Sequence, residues 1–328
     1  MNASLVARPE RPGCRVAYLF PGQGSKLMQA GRDLLAASPI ARRVFEQAAD
    51  ALGWSLSDLF NNGPEEEITL THRGQPARLT FSVALLRAVE EEVPQMPAAC
   101  LGHSLGEYSA LVAAGGVSFP DALRCVSQRA AFMSAACPAG SGGMSAVLAL
   151  EREKIEEICT NVAGNEVLQV ANINAPNQIV ISGHLAALER AEPLLIEAGA
   201  RAVIRLGVSG AFHTSLMQPA ADRLAEMLSG IEFKATRCPV PSNVTGAPHG
   251  EAESVRRCLA EQVIRPVRWV DCMNWAIESG VDLFVELGPG GVLTGLARSI
   301  KRTAECFSLA GTDAVPRLGT RLAEVYQS

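Results

Sequence analysis

Cys100-Leu101-Gly102-His103-Ser104-Leu105-Gly106-Glu107 sets a serine between two glycines, directly after the short apolar run at residues 97–101. This is the G-x-S-x-G spacing of a nucleophile elbow, in which a strand ends, the chain turns sharply through the serine and a helix begins. The turn holds the serine backbone in a sparsely populated conformation, and glycines on both sides remove the Cβ atoms that would collide there. Leu105 is then expected to aim its backbone N–H at charge developing on an attacked carbonyl. The spacing predicts an α/β fold with Ser104 at the carboxyl end of a strand, where open α/β sheets hold their ligands.

Composition bounds what such an elbow could serve. The chain has 328 residues, 48% hydrophobic and 19% charged, with no low-complexity tract. It is therefore long enough for one large domain with an insertion, or for two domains. A formal net charge of −5 opposes a nucleic-acid-binding surface. Nine cysteines stand at 14, 100, 125, 137, 159, 238, 258, 272 and 306, none in a C-x-x-C pair. Zinc and redox motifs are thus absent, and the scatter fits free thiols in a reducing cytoplasm. Residues 1–13 lack the apolar core of a signal peptide and no stretch reaches membrane-spanning length. The chain reads as soluble and cytoplasmic, without membrane or nucleic-acid partners.

Outward from the elbow toward the N-terminus, residues 15–20 (RVAYLF) form a strand pattern that breaks into Pro21-Gly22-Gln23-Gly24-Ser25. A phosphate loop is disfavoured there, because G-x-G-x-x-G fails at Leu27 and no G-K-[ST] follows. Residues 31–95 read as helices, with Gln75-Pro76 opening one of them. Toward the C-terminus, Ser118 with Asp121 three residues later predicts a capped helix to about residue 137. Within it Arg129 has Cys125, Val126, Phe132 and Met133 as its helical neighbours, so it lies on the inward face. Two readings fit that position. The arginine snorkels or pairs with a buried carboxylate, or it is held dry to bind a substrate carboxylate, with about 1.5–3 kcal/mol per charge-assisted bond.

After the glycine-rich stretch 138–143 the pattern becomes strand 144–150, helix 151–162, strands 167–173 and 178–182, helix 185–198 and strand 202–208. That βαββαβ order is ferredoxin-like. It predicts a small subdomain at 141–208, inserted between a first part at 1–140 and a second at 209–328. His213 follows in the loop where the chain re-enters the larger body, placed as a base would be, or as a capping or buried histidine. Residues 239–244 read as a strand, 254–262 as a helix and 281–287 as the last buried strand. Gly288-Pro289-Gly290-Gly291 then leads into a final helix with Arg298, Lys301 and Arg302.

These stretches, in order, resemble the malonyl-CoA:acyl-carrier-protein transacylase family, the free-standing acyltransferases of fatty-acid or polyketide synthesis. The resemblance rests on Phe20 to Ser25, Gln75-Pro76, the elbow, Gln128-Arg129, Asn172 to Gln178, Gly210-Ala211-Phe212-His213, residues 262–269 and residues 286–291. It implies an α/β-hydrolase-like large domain with an inserted ferredoxin-like subdomain. It further implies Ser104 as nucleophile, His213 as its base, and an oxyanion hole from the N–H groups of Gln23 and Leu105. Arg129 would grip the malonyl carboxylate, and the main-chain carbonyl of Gln262 would orient His213, giving a Ser-His dyad without a carboxylate. Phe212, Asn172 and Asn174 would contact substrate, the phenyl ring favouring malonyl over methylmalonyl. Malonyl-CoA and a phosphopantetheinylated acyl carrier protein would be the partners of a monomer needing no metal or bound cofactor. Carriers of these pathways are acidic, so Arg265, Arg268, Arg298, Lys301 and Arg302 are docking candidates or ordinary surface charge. An acyl hydrolase and a non-catalytic carrier-docking scaffold are the competing functions.

Overall fold

The structure is a computed structural model that describes residues 15–23, 27–93, 95–138, 140–208 and 210–327. The leader reading of residues 1–13, Cys14, Gly24 and Ser25 of the first loop, Ala139 and Ser209 lie outside the described residues. The chain opens with β1 (Val16–Phe20), then α1 (Met28–Ala37), α2 (Pro39–Leu52), α3 (Leu56–Asn62), α4 (Glu65–Thr69) and α5 (Thr71–Glu92). β2 (Ala99–Gly102), α6 (Gly106–Ala113) and α7 (Phe119–Ala136) follow. Next come β3 (Gly142–Leu148), α8 (Arg152–Ala163), β4 (Leu168–Ala175), β5 (Gln178–His184), α9 (Leu185–Glu197) and β6 (Ala202–Arg205). The last elements are α10 (Gln218–Ser229), α11 (Ala252–Glu261), α12 (Trp269–Glu278), β7 (Leu283–Leu287), α13 (Val292–Ile300), β8 (Glu305–Leu309) and α14 (Val315–Gln327).

Two separate four-stranded sheets result, one parallel in the order β2-β1-β7-β8 and one antiparallel in the order β4-β5-β3-β6. All residues of β1, β2 and β7 are buried, which explains why their sequences are continuous apolar runs rather than alternating ones. Phe20 pairs with Gly102 at the carboxyl ends of β1 and β2, so the first loop and the elbow leave the sheet side by side. The second sheet is covered by α8 and α9, which bury Ile155, Leu188 and Leu195 against Val147 and Ile181. It is tied to the parallel part by two backbone bonds, Ile173 N–H to the Val267 carbonyl at 2.8 Å and Val267 N–H to the Ala171 carbonyl at 2.9 Å. Among the described residues no helix is long and apolar enough to cross a membrane.

Five sequence expectations are corrected. Residues 239–244 make only an isolated bridge, Pro241 to Pro248, because Pro239 and Pro241 lack the N–H groups a ladder needs. β7 is followed by a further strand, β8, whose largely exposed edge sequence ECFSL gives no buried apolar run to read. α13 is accordingly not the final helix, and β6 ends at Arg205 rather than at 208. Pro76 does not open a helix but sits inside α5, where buried flanks on both sides hold the helix through the loss of one backbone bond.

Candidate active site

The elbow forms as its glycines require. Ser104 has φ 51°, and α6 starts within two residues, so close to β1 that a Cβ on Gly106 would strike the Phe20 carbonyl. Asn243 braces the turn, accepting the Ser104 N–H on Oδ1 at 2.6 Å and donating to the Gly102 carbonyl at 2.8 Å. His213 also takes a left-handed backbone, φ 61°, and its Nε2 lies 2.9 Å from Ser104 Oγ. Its Nδ1 lies 2.7 Å from the main-chain carbonyl of Gln262. A carbonyl only accepts, so Nδ1 carries the proton and Nε2 turns its lone pair to the serine hydroxyl. Burial and the Arg129 charge, opposed by the Gln262 carbonyl, lower the His213 pKa to about 3, so the ring is neutral at physiological pH.

Arg129 arrives from α7 and is 1% exposed. Its guanidinium donates to Gln75 Oε1 at 2.7 Å, Gln262 Oε1 at 2.9 Å and Ser104 Oγ at 3.1 Å. These partners are all neutral, and among the described residues Arg129 makes no salt bridge and its Nε has no partner. Snorkelling is ruled out by its burial, and a direct carboxylate partner by its bonds. Burial lowers the Arg129 pKa, with Tyr108 and Glu107 opposing the shift. A desolvated cation held by neutral dipoles is an incomplete pair that an anionic ligand would complete.

A cavity of about 250 Å³ opens between the two sheets, and Ser104, His213 and Arg129 line it together with Gln23, Leu105, Phe212, Asn172 and Asn174. Gln262 lies behind this wall and reaches the site through its carbonyl and its amide. The insert meets the elbow at His103, whose Nε2 is 2.8 Å from Asn174 Oδ1 and 3.5 Å from the Asn172 amide. Burial lowers the His103 pKa, with the Asn174 bond opposing. The basic residues proposed for docking lie apart from the cavity lining. Arg265 and Arg268 pair with Glu261 and Asp271, while Arg298, Lys301 and Arg302 are exposed.

Sequence reasoning missed Gln75, His103, Glu107 and Asn243. His103 and Glu107 were visible inside the elbow motif. Gln75 stood in the Gln75-Pro76 stretch without a role of its own, because its partner Arg129 is 54 positions away, and Asn243, 139 positions from Ser104, carries no local signal.

Residues 17–315 match the acyl transferase domain family, and the chain belongs to that family. Within it the chain is similar to malonyl CoA-acyl carrier protein transacylases. The Bacillus subtilis enzyme of that name is 42% identical, over 92% of this chain and 95% of that one. A structure of the Coxiella burnetii malonyl CoA-acyl carrier protein transacylase superposes with TM-score 0.92 at 40% identity, covering 95% and 98% of the two chains. A malonyl-transacylase in complex with a type II PKS acyl-carrier protein superposes with TM-score 0.91 at 40% identity, covering 94% and 99%.

Proposed function

We propose that the protein is a malonyl-CoA:acyl-carrier-protein transacylase working through a malonyl-Ser104 intermediate. The observation that carries this reading is the buried Arg129 guanidinium, 3.1 Å from the Ser104 hydroxyl and bonded only to neutral groups. In the first half-reaction His213 Nε2 takes the Ser104 proton as Oγ bonds to the thioester carbon. The N–H groups of Gln23 and Leu105 stabilise the oxyanion, and the C–S bond breaks as the CoA sulfur receives the proton from His213. In the second, His213 deprotonates the phosphopantetheine thiol of the carrier, the sulfur attacks the malonyl ester and Ser104 leaves with the proton. This is a ping-pong exchange by a Ser-His dyad in which the Gln262 carbonyl replaces the usual carboxylate.

Arg129 gives the two half-reactions a common specificity, since the malonyl carboxylate stays paired while its acyl carbon changes partners. The buried Phe212 ring on the cavity wall leaves little space for an α-methyl group, which favours malonyl over methylmalonyl. Equal rates of enzyme acylation by the two CoA esters would overturn that preference. Asn172 and Asn174 serve substrate binding directly or through His103. The parallel part reads as a hydrolase-like domain, residues 1–140 and 209–328, and the antiparallel order β4-β5-β3-β6 at 141–208 supports a ferredoxin-like insert. One chain supplies every proposed group, which supports a monomer, and the chemistry needs no metal or prosthetic group. Basic residues at 265, 268, 298, 301 and 302 would face an acidic carrier, in the cytoplasm where malonyl-CoA and carriers meet.

The deciding experiment incubates the protein with malonyl-CoA, weighs the digested Ser104 peptide and then adds phosphopantetheinylated carrier. A malonyl adduct that moves to the carrier is expected. Rapid release of free malonate would establish a hydrolase, and no adduct a scaffold.

A further inference from the structure

Neither Glu107 nor His249 lines the cavity, yet the two form an ion pair beneath it. Glu107 stands on the first turn of α6 with its side chain fully buried, and its Oε1 meets His249 Nε2 at 2.7 Å, the histidine side chain being 1% exposed. Its Oε2 accepts two further bonds, from Asn243 N–H at 3.0 Å and from Gln262 Nε2 at 2.7 Å. Two arms therefore run from one carboxylate. Through Asn243 it reaches the Ser104 N–H and the Gly102 carbonyl, the two backbone groups that shape the elbow. Through Gln262 it reaches Arg129, which donates to Oε1 at 2.9 Å, and His213, which donates to the main-chain carbonyl at 2.7 Å.

We infer that Glu107 and its counter-ion His249 are positioning residues for the transfer reaction, fixing the Gln262 amide so that its oxygen faces Arg129. The inference rests on the proposed function. A primary amide is almost symmetric in shape, and its flipped form would turn an NH2 group against the guanidinium. Gln262 Nε2 also donates to the Ser104 carbonyl at 3.0 Å, and Glu107 is the second acceptor that holds it in place. An ionised carboxylate is acceptor-only and holds the amide one way round, whereas a protonated one gains a donor and weakens as an acceptor. A carboxylate buried without a counter-charge would take up that proton. His249 Nε2, 2.7 Å from Glu107 Oε1, is placed to supply that counter-charge.

The surroundings agree on the charge state. Burial pulls the His249 pKa down, but the neighbouring Cys258, the bond to Glu107 and the Glu107 charge raise it to about 9. The other titratable or charged groups facing the pair are Arg129, Tyr108, Cys258 and Cys272. Tyr108 and Cys272 are raised, chiefly by burial, and stay neutral, whereas Cys258 is lowered by its neighbours His249 and Ser242 against the effect of burial.

Two measurements test the inference. In the wild-type protein, imidazole 15N NMR at about pH 7.5 should show His249 doubly protonated; a neutral His249 overturns the proposal, and this readout needs no variant to fold. In Glu107→Gln, whose neutral amide can donate as well as accept and so no longer holds the Gln262 amide one way round, kcat/KM for acylation by malonyl-CoA should fall about tenfold, while acylation by acetyl-CoA, which makes no use of Arg129, falls less than about threefold. An equal loss with both CoA esters would mean that the pair serves folding alone, and would refute the positioning role. Wild-type protein that never acylates Ser104 would sink the proposed function and this role together, whereas normal acylation with a neutral His249 sinks the inference alone.

Discussion

Ser104 and His213 hold φ values of 51° and 61°, so each carries about 1–2 kcal/mol of backbone strain that a glycine would avoid. Both need the strain for the same reason: it lifts a short side chain out of the backbone path so that Oγ and Nε2 meet at 2.9 Å. Because the His213 pKa is lowered to about 3, the imidazole proposed as the base is already neutral across the working range. Acylation kcat/KM is therefore expected to be flat from about pH 5 to pH 8, and a half-maximal point near the ordinary histidine pKa would contradict the burial argument. In the proposed mechanism Arg129 separates this site from a plain esterase. Arg129→Ala should slow acylation by malonyl-CoA by about 100-fold or more, from two lost charge-assisted bonds, while acetyl-CoA is tolerated. An unchanged malonyl preference in stopped-flow acylation would refute the clamp.

At the scale of elements, the site depends on how near α6 can come to β1. Gly106 touches the Phe20 carbonyl, and a Cβ on Gly102 would fall on the backbone of Gly106 and Glu107, so strand, turn and helix fit together only without side chains there. Gly106→Ala must push α6 away and move Leu105 and Ser104 with it. A stability loss of about 2 kcal/mol or more is expected, with acylation reduced further than the fraction folded explains. Chemical denaturation beside active-site titration checks this, and normal activity per folded molecule would show that the close approach is not functional. α13 shows the same logic from the other side of the cavity. Glu286 accepts the Thr294 N–H at 2.8 Å, tying the start of a helix whose Val292, Leu293 and Leu296 line the cavity to the end of β7.

For the whole molecule, the two histidines shape stability in opposite pH windows. His249, raised to about 9, contributes fully below its unfolded pKa of 6.5 and loses that contribution as pH rises toward 9. His213, lowered to about 3, costs stability only as pH falls below 6.5, where the unfolded chain binds the proton that the folded one refuses. Each slope is at most about 1.4 kcal/mol per pH unit, so Tm should peak near neutrality, and its alkaline decline should shrink in His249→Leu. An alkaline decline as steep in that variant as in the wild type would remove His249 from the account. The sequence by itself determined the elbow, the inward face of Arg129 and the βαββαβ order of the insert, because each is written in local spacing that backbone geometry must obey. It misjudged residues 239–244 and missed β8, where strand pairing depends on neighbours remote in the chain. Only the tertiary structure decided that Arg129 meets neutral partners, that Gln75 and Asn243 belong to the site, and that a buried Glu107–His249 pair stands under the elbow. Those are contacts between residues 54 to 142 positions apart, and no local pattern records which distant side chain a fold will bring to a buried charge.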